Sequence, residues 1–259
     1  MADFLFEKID GVGKITLNRP KTYNSFTREM ALGVQKSLDD CAKDDLIRAI
    51  YIIGEGKAFC AGQDLNESTD ESNGLTLERI VTEHYNPIVV RLREIEKPIV
   101  AAVNGVAAGA GANIALACDV VVATEGASFI QAFSKIGLIP DSGGTYTLPR
   151  LIGWQKASAL MMLADKISAT EAERMGMIYK YFSDETFAEE SWKLAVKLSK
   201  MPTKGLGFTK RALNISLNAT LEEQLEIEKK LQAAANDTED CKEGVTAFLE
   251  KRKPVFIGK

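Results

Sequence analysis

Three short runs of nearly unbroken apolar residues, at 49–53, 99–103 and 119–123, limit what this chain can fold into more than any other feature. Each run is too short for a core helix and lacks the alternation of a strand with one wet face. It therefore predicts a strand covered on both sides. Between the strands the pattern turns helical. Thr27 is a plausible N-cap for a helix over 27–41, with Met30, Leu32, Val34 and Leu38 as its apolar stripe. Strands covered on both faces and separated by helices predict an α/β architecture, and this periodicity alone would also suit a doubly wound nucleotide-binding sheet.

Two further β-runs at 4–9 and 14–17 flank Gly11 and Gly13 and predict a hairpin. Beyond about residue 188 the β-runs stop, and helices are predicted over 189–200, 204–217, 221–235 and 242–251. Thr220 with Glu223, and Asp240 with Glu243, read as capping boxes, and Pro202 separates the first two helices. The expected organisation is an α/β core over 1–195 and a helical C-terminal region over 196–259.

With 46% hydrophobic residues in 259, the chain can bury a core without disulfides or metal. A net charge of -4 argues against nucleic acid as the main partner. Cys41, Cys60, Cys118 and Cys241 form no CxxC pair, and the start has no secretory pattern, so reduced thiols in a cytoplasmic protein are expected. No apolar run approaches membrane length. The single histidine, His84, sits in a polar helical stretch and is expected at the surface. One histidine and scattered cysteines make neither a His/Cys metal site nor a serine-hydrolase triad.

Three clusters of small residues remain. Ala58-Phe59-Cys60-Ala61-Gly62-Gln63-Asp64-Leu65 follows the first buried strand. Asn104-Gly105-Val106-Ala107-Ala108-Gly109-Ala110-Gly111-Ala112-Asn113 follows the second, and Gly137-Leu138-Ile139-Pro140-Asp141-Ser142-Gly143-Gly144 comes last. Such clusters serve either close helix packing or a main chain laid bare to a ligand. In the second reading a strand ending in small residues and then a helix offers free N–H groups to a developing negative charge.

The three clusters, in this order, resemble those of the crotonase (enoyl-CoA hydratase/isomerase) superfamily. The segment Leu17-Asn18-Arg19-Pro20-Lys21-Thr22-Tyr23-Asn24 is similar to the family's opening motif. Phe248-Leu249-Glu250-Lys251-Arg252-Lys253-Pro254 is similar to its closing one. The resemblance implies a spiral of βαβ units with a helical C-terminal trimerisation region, assembled as a trimer or a dimer of trimers. It implies an acyl-CoA thioester as substrate, with no separate cofactor, and an oxyanion hole formed by the backbone N–H groups of Gln63 and Ala110. Lys21, Thr22, Tyr23 and Ala61 would meet the CoA adenine end, and Gln63, Asp64, Leu65 and Gly109 would also contact the acyl-CoA. Phe248 and Lys251 would come from a neighbouring subunit.

Hydratases of this family use two glutamates, and by position these fall on Asn113 and Phe133, neither of which can activate water. Asp141 is the acid that remains, as base in a one-carboxylate isomerisation or, in the alternative, as a helix N-cap. The sequence resembles most the branch that isomerises ring-1,2-epoxyphenylacetyl-CoA to an oxepin-CoA, with Asn113 and Phe133 shaping the acyl pocket. A Δ3,Δ2-enoyl-CoA isomerase or hydratase is the alternative within the class. A non-catalytic acyl-CoA- or RNA-binding protein is the alternative outside it.

Overall fold

A computed structural model describes residues 2–70, 72 and 74–259. Glu71 and Asn73, in the polar stretch from Ser68 to Gly74, lie outside the described residues. The chain opens with the expected hairpin, β1 (Phe4–Ile9) antiparallel to β2 (Val12–Leu17). Its turn places Asp10 and Gly11 at φ 52° and 76°, the paired left-handed residues that match strand twist. Helix α1 (Arg28–Lys43) follows, and the Thr27 side chain accepts from the Met30 N–H as expected of a cap. Met30, Val34 and Leu38 are buried, whereas Leu32 is 42% exposed and is not part of the stripe.

The centre repeats one unit. A longer strand runs through a six-stranded sheet, and after a short bend a three-residue strand continues in a second sheet. The pairs are β3 (Ala49–Gly54) with β4 (Ala58–Cys60), and β5 (Ile99–Val103) with β6 (Val106–Ala108). The third is β7 (Val120–Thr124) with β8 (Ser128–Ile130). Between the first two pairs lie α2 (Leu65–Ser68), α3 (Leu77–Arg79), a π-helical turn (Ile80–Tyr85) and α4 (Asn86–Glu94). Between the second and third lies α5 (Ala110–Leu116). After β8 come α6 (Gly144–Ile152), α7 (Trp154–Leu163), β9 (Lys166–Ser168), α8 (Ala169–Arg174) and β10 (Lys180–Phe182). The sheets run β1-β2-β3-β5-β7-β10 and β4-β6-β8-β9, with parallel pairing from β2 through β10 and from β4 through β8.

Both faces of the larger sheet are covered, which is why its strands read as continuous apolar runs. Ile50, Ile52, Ala101 and Val103 face the main core with α1 and α4. Tyr51, Val100, Ala102 and Val122 face Phe187 and Ala195 of α9 (Phe187–Ser199). There Tyr51 meets Trp192 edge to face and its hydroxyl pairs with Ser191 at 2.9 Å. Residue 195 thus lies inside a helix that belongs to the sheet layer.

The chain ends in α10 (Thr203–Ser216), α11 (Leu221–Asn236) and α12 (Glu239–Leu249). The Thr220–Glu223 capping box is present. The box expected at Asp240 is not: Thr238 caps α12, accepting from the Cys241 N–H. The buried Asp240 carboxylate instead accepts the Ile257 and Gly258 N–H groups. A folded-back tail needed those acceptors, and sequence spacing could not reveal it. Arg48, just before β3, donates to the Phe256 and Met201 carbonyls, so the tail is held where the parallel strands begin.

Candidate active site

The site gathers at the other end, where β3, β5 and β7 give way to their short partners. The opening motif supplies its floor. Asn24 is buried and donates to the Glu55 and Ala58 carbonyls, while Arg19 pairs with Asp64 at 2.8 Å. The Asp64 carboxylate also caps α2, so its bonds are within the protein where contact with the substrate was expected. Lys21, Thr22 and Tyr23 lie exposed on the surface turn that follows Arg19. The Tyr23 carbonyl accepts the Ala61 N–H at 2.9 Å and ties that turn to the first glycine loop.

The first two glycine loops touch. A Cβ on Gly62 would lie 3.2 Å from the Ala108 carbonyl oxygen and 3.6 Å from the Ala110 nitrogen. Gly62 and Gly109 hold φ of 95° and 53°, Gly109 with ψ of -128°, backbone that side chains other than hydrogen disfavour. Hydrogen bonds from Phe26 N–H to Gly62 and from Asp64 N–H to Phe26 bracket Gln63. The Gln63 N–H makes no hydrogen bond among the described residues. The Ala110 N–H, at the first position of α5, likewise has none. Two free donors on adjoining loops can hold one anionic oxygen.

Asp141 is half-buried. Helix α6 starts at Gly144 with no side-chain cap, so the capping alternative fails: the Asp141 main-chain carbonyl, not its carboxyl, meets the Gly144 N–H. The carboxyl accepts from the Ser142 hydroxyl, at 2.8 Å, and from its own main-chain N–H. Burial raises its pKa above the usual aspartate range, and the Ser142 bond opposes that rise. Such a carboxylate is a stronger base than a solvated one. Phe133 is buried, its ring 3.8 Å from where a Gly109 Cβ would stand. Leu65, Ile136, Leu138 and Ile139 add exposed apolar side chains on the flanking segments.

Asn113 is 1% exposed and its amide is already engaged, donating to the Asp141 carbonyl and accepting from Gln131. It touches the Asp141 backbone where a pocket-wall role was expected. Sequence reading also missed Tyr85, whose buried hydroxyl donates to Gln63 Oε1 at 2.7 Å, and Gln131. A polar Gln131 ending an apolar run was a signal for the latter, and no local signal marked Tyr85. His84 corrects an expectation outright. It is 0% exposed, and neither ring nitrogen finds a partner among the described residues. The π turn changes the helical period there and rotates His84 inward. Burial lowers its pKa, which favours the neutral ring.

Phe248 is 81% exposed and the Lys251 side chain has no hydrogen bond or ion pair among the described residues, so neither joins these groups within one chain. A family model described as enoyl-CoA hydratase/isomerase matches residues 7–259. The chain belongs to this family. It is 45% identical to the 1,2-epoxyphenylacetyl-CoA isomerase of Escherichia coli, over 100% of both chains. It is 34% identical to that organism's 2,3-dehydroadipyl-CoA hydratase, again over 100% of each. The crystal structure of an enoyl-CoA hydratase from Bacillus anthracis superposes with a TM-score of 0.91 at 30% identity, covering 99% of this chain and 100% of that one.

The architecture is therefore the crotonase fold, and the protein is a crotonase-family enzyme acting on CoA thioesters. Among the described residues no group of His, Cys, Asp and Glu could hold a metal, and no helix is long and apolar enough to cross a membrane. All four cysteines are free thiols. Burial pushes Cys60, under the first glycine loop, up to about 12, so it is no nucleophile at neutral pH.

Proposed function

We propose that this crotonase isomerises an acyl-CoA thioester through one carboxylate, with ring-1,2-epoxyphenylacetyl-CoA as its substrate. The observation that carries the reading is the Asp141 carboxyl. It is partly desolvated and free of any capping duty, while Asn113 and Phe133 offer no second acid. Asp141 removes the proton α to the thioester. The electron pair moves onto the thioester oxygen, which the Gln63 and Ala110 N–H groups stabilise as an enolate. Return of the proton to a distal carbon completes a shift of unsaturation with no change in composition. For the ring epoxide, the arene oxide and its seven-membered oxepin are valence isomers, and the same proton transfer fixes the oxepin form.

The identity to the Escherichia coli isomerase supports that substrate. In this reading Lys21 and Lys251 meet CoA phosphates, with Phe248 and Lys251 supplied by a second subunit of a trimer or dimer of trimers in the cytoplasm. The deciding experiment is turnover by the Asp141→Asn enzyme, which should fall by about 10²- to 10⁴-fold with folding intact. Undiminished turnover would remove Asp141 from the mechanism. Assaying crotonyl-CoA hydration and 3-enoyl-CoA isomerisation beside the epoxide tests the substrate.

A further inference from the structure

Behind Asp141 lies a line of two buried amides. Gln131, 2% exposed at the end of β8, donates through Nε2 to Asn113 Oδ1 at 2.8 Å. Asn113, on α5, donates through Nδ2 to the Asp141 carbonyl at 2.8 Å. The carbonyl fixes the direction of the line. It can only accept, so Asn113 must turn its NH₂ toward Asp141 and its oxygen toward Gln131, which must then donate. Gln131 Oε1 is left without a partner among the described residues. The Gly144 N–H donates to the same carbonyl at 2.9 Å. A Cβ on Gly144 would stand 2.2 Å from Asn113 Nδ2, so a bare glycine there lets the amide reach under the turn.

We propose that Asn113 and Gln131 are positioning residues for the reaction, holding the Asp141 main chain so that its carboxyl faces the two N–H donors. The inference rests on Asp141 being the base. An ionised carboxylate at residue 113 would set acceptor against acceptor at the Asp141 carbonyl. An ionised acid at 113 and a base held at 141 in this way therefore exclude each other on this backbone.

The test uses Asn113→Asp and Gln131→Met, which keep volume and remove a donor, alone and combined with Asp141→Asn. Turnover of the acyl-CoA substrate and KM are measured together with thermal melting. Asn113→Asp should lower kcat by about 10- to 100-fold with KM within about threefold, because displacing a reacting group by about 1 Å has that effect. Gln131→Met should lower kcat by a smaller factor in the same pattern, and it carries the test if Asn113→Asp does not fold. Neither change should lower the residual rate of Asp141→Asn further. If both single variants keep kcat within twofold while Asp141→Asn loses activity, the inference falls and the reading of Asp141 stands. An equal extra loss in the Asp141→Asn background also overturns it. Full turnover by Asp141→Asn alone would instead remove the reading beneath it.

Discussion

The Asp141 carboxyl is poised between influences of opposite sign. Burial raises its pKa, while the Ser142 hydroxyl, bonded to one carboxyl oxygen, and the residue's own main-chain N–H lower it. A base works only when deprotonated, so the acid limb of kcat/KM follows the Asp141 pKa of the free enzyme. Ser142→Ala removes the larger of the two lowering influences. The limb should therefore move to higher pH, with activity near neutral pH changed little. A limb that stays in place or moves down, measured with a substrate that does not ionise in that range, would show that Asp141 is not the titrating group. Ser142 has a φ of 52°, and alanine tolerates that region no better than serine, so a modest loss of stability should accompany the shift.

At the scale of elements, α5 works because Gly109 turns the chain sharply before it. Gly109→Ala forces a side chain into φ 53°, ψ -128°, at a cost of about 1–3 kcal/mol, or turns the Ala110 N–H away from its neighbour loop. Loss of one such donor lowers kcat by about 10²- to 10³-fold, which steady-state kinetics would detect. Helix α10 is fastened differently. Lys210, almost fully buried, pairs with Asp119 at 2.8 Å and donates to the Leu92 carbonyl, while Asp119 accepts the Ile99 N–H. Lys210→Met leaves the half-buried Asp119 carboxylate with Arg93, at 3.8 Å, as its remaining cation and should cost about 1–3 kcal/mol in urea unfolding. A loss below about 1 kcal/mol would mean that Arg93 and water suffice for Asp119.

For the whole molecule the decisive question is where the CoA end is held. The tail is fastened beside Arg48, where the parallel strands start, and the donor loops lie where they end. Subunits carrying Asp141→Asn and subunits carrying Phe248→Ala with Lys251→Glu should each be impaired. Refolded together, they should recover turnover if, as proposed, each site is shared between two subunits, since a mixed oligomer would then hold a site built from two intact halves. No recovery despite mixed oligomers, seen by native mass spectrometry, would assign Phe248 and Lys251 to another duty.

The sequence by itself determined the buried strands, the hairpin, the Thr27 and Thr220 caps and the succession of glycine loops. Each depends on neighbours within a few residues: apolar period, left-handed turns, a hydroxyl near a free N–H. Those local patterns also sufficed to show the family. What the Asn113 and Gln131 side chains bond to was settled only by tertiary structure, because residues 28 and 18 apart in sequence meet there. The same holds for Asp240, which closes on a returning tail, and for His84, which a π turn carries into the core against its polar surroundings in sequence. Hydrogen-bond partners distant along the chain leave no periodic trace, and the assembled fold is what brings them within reach.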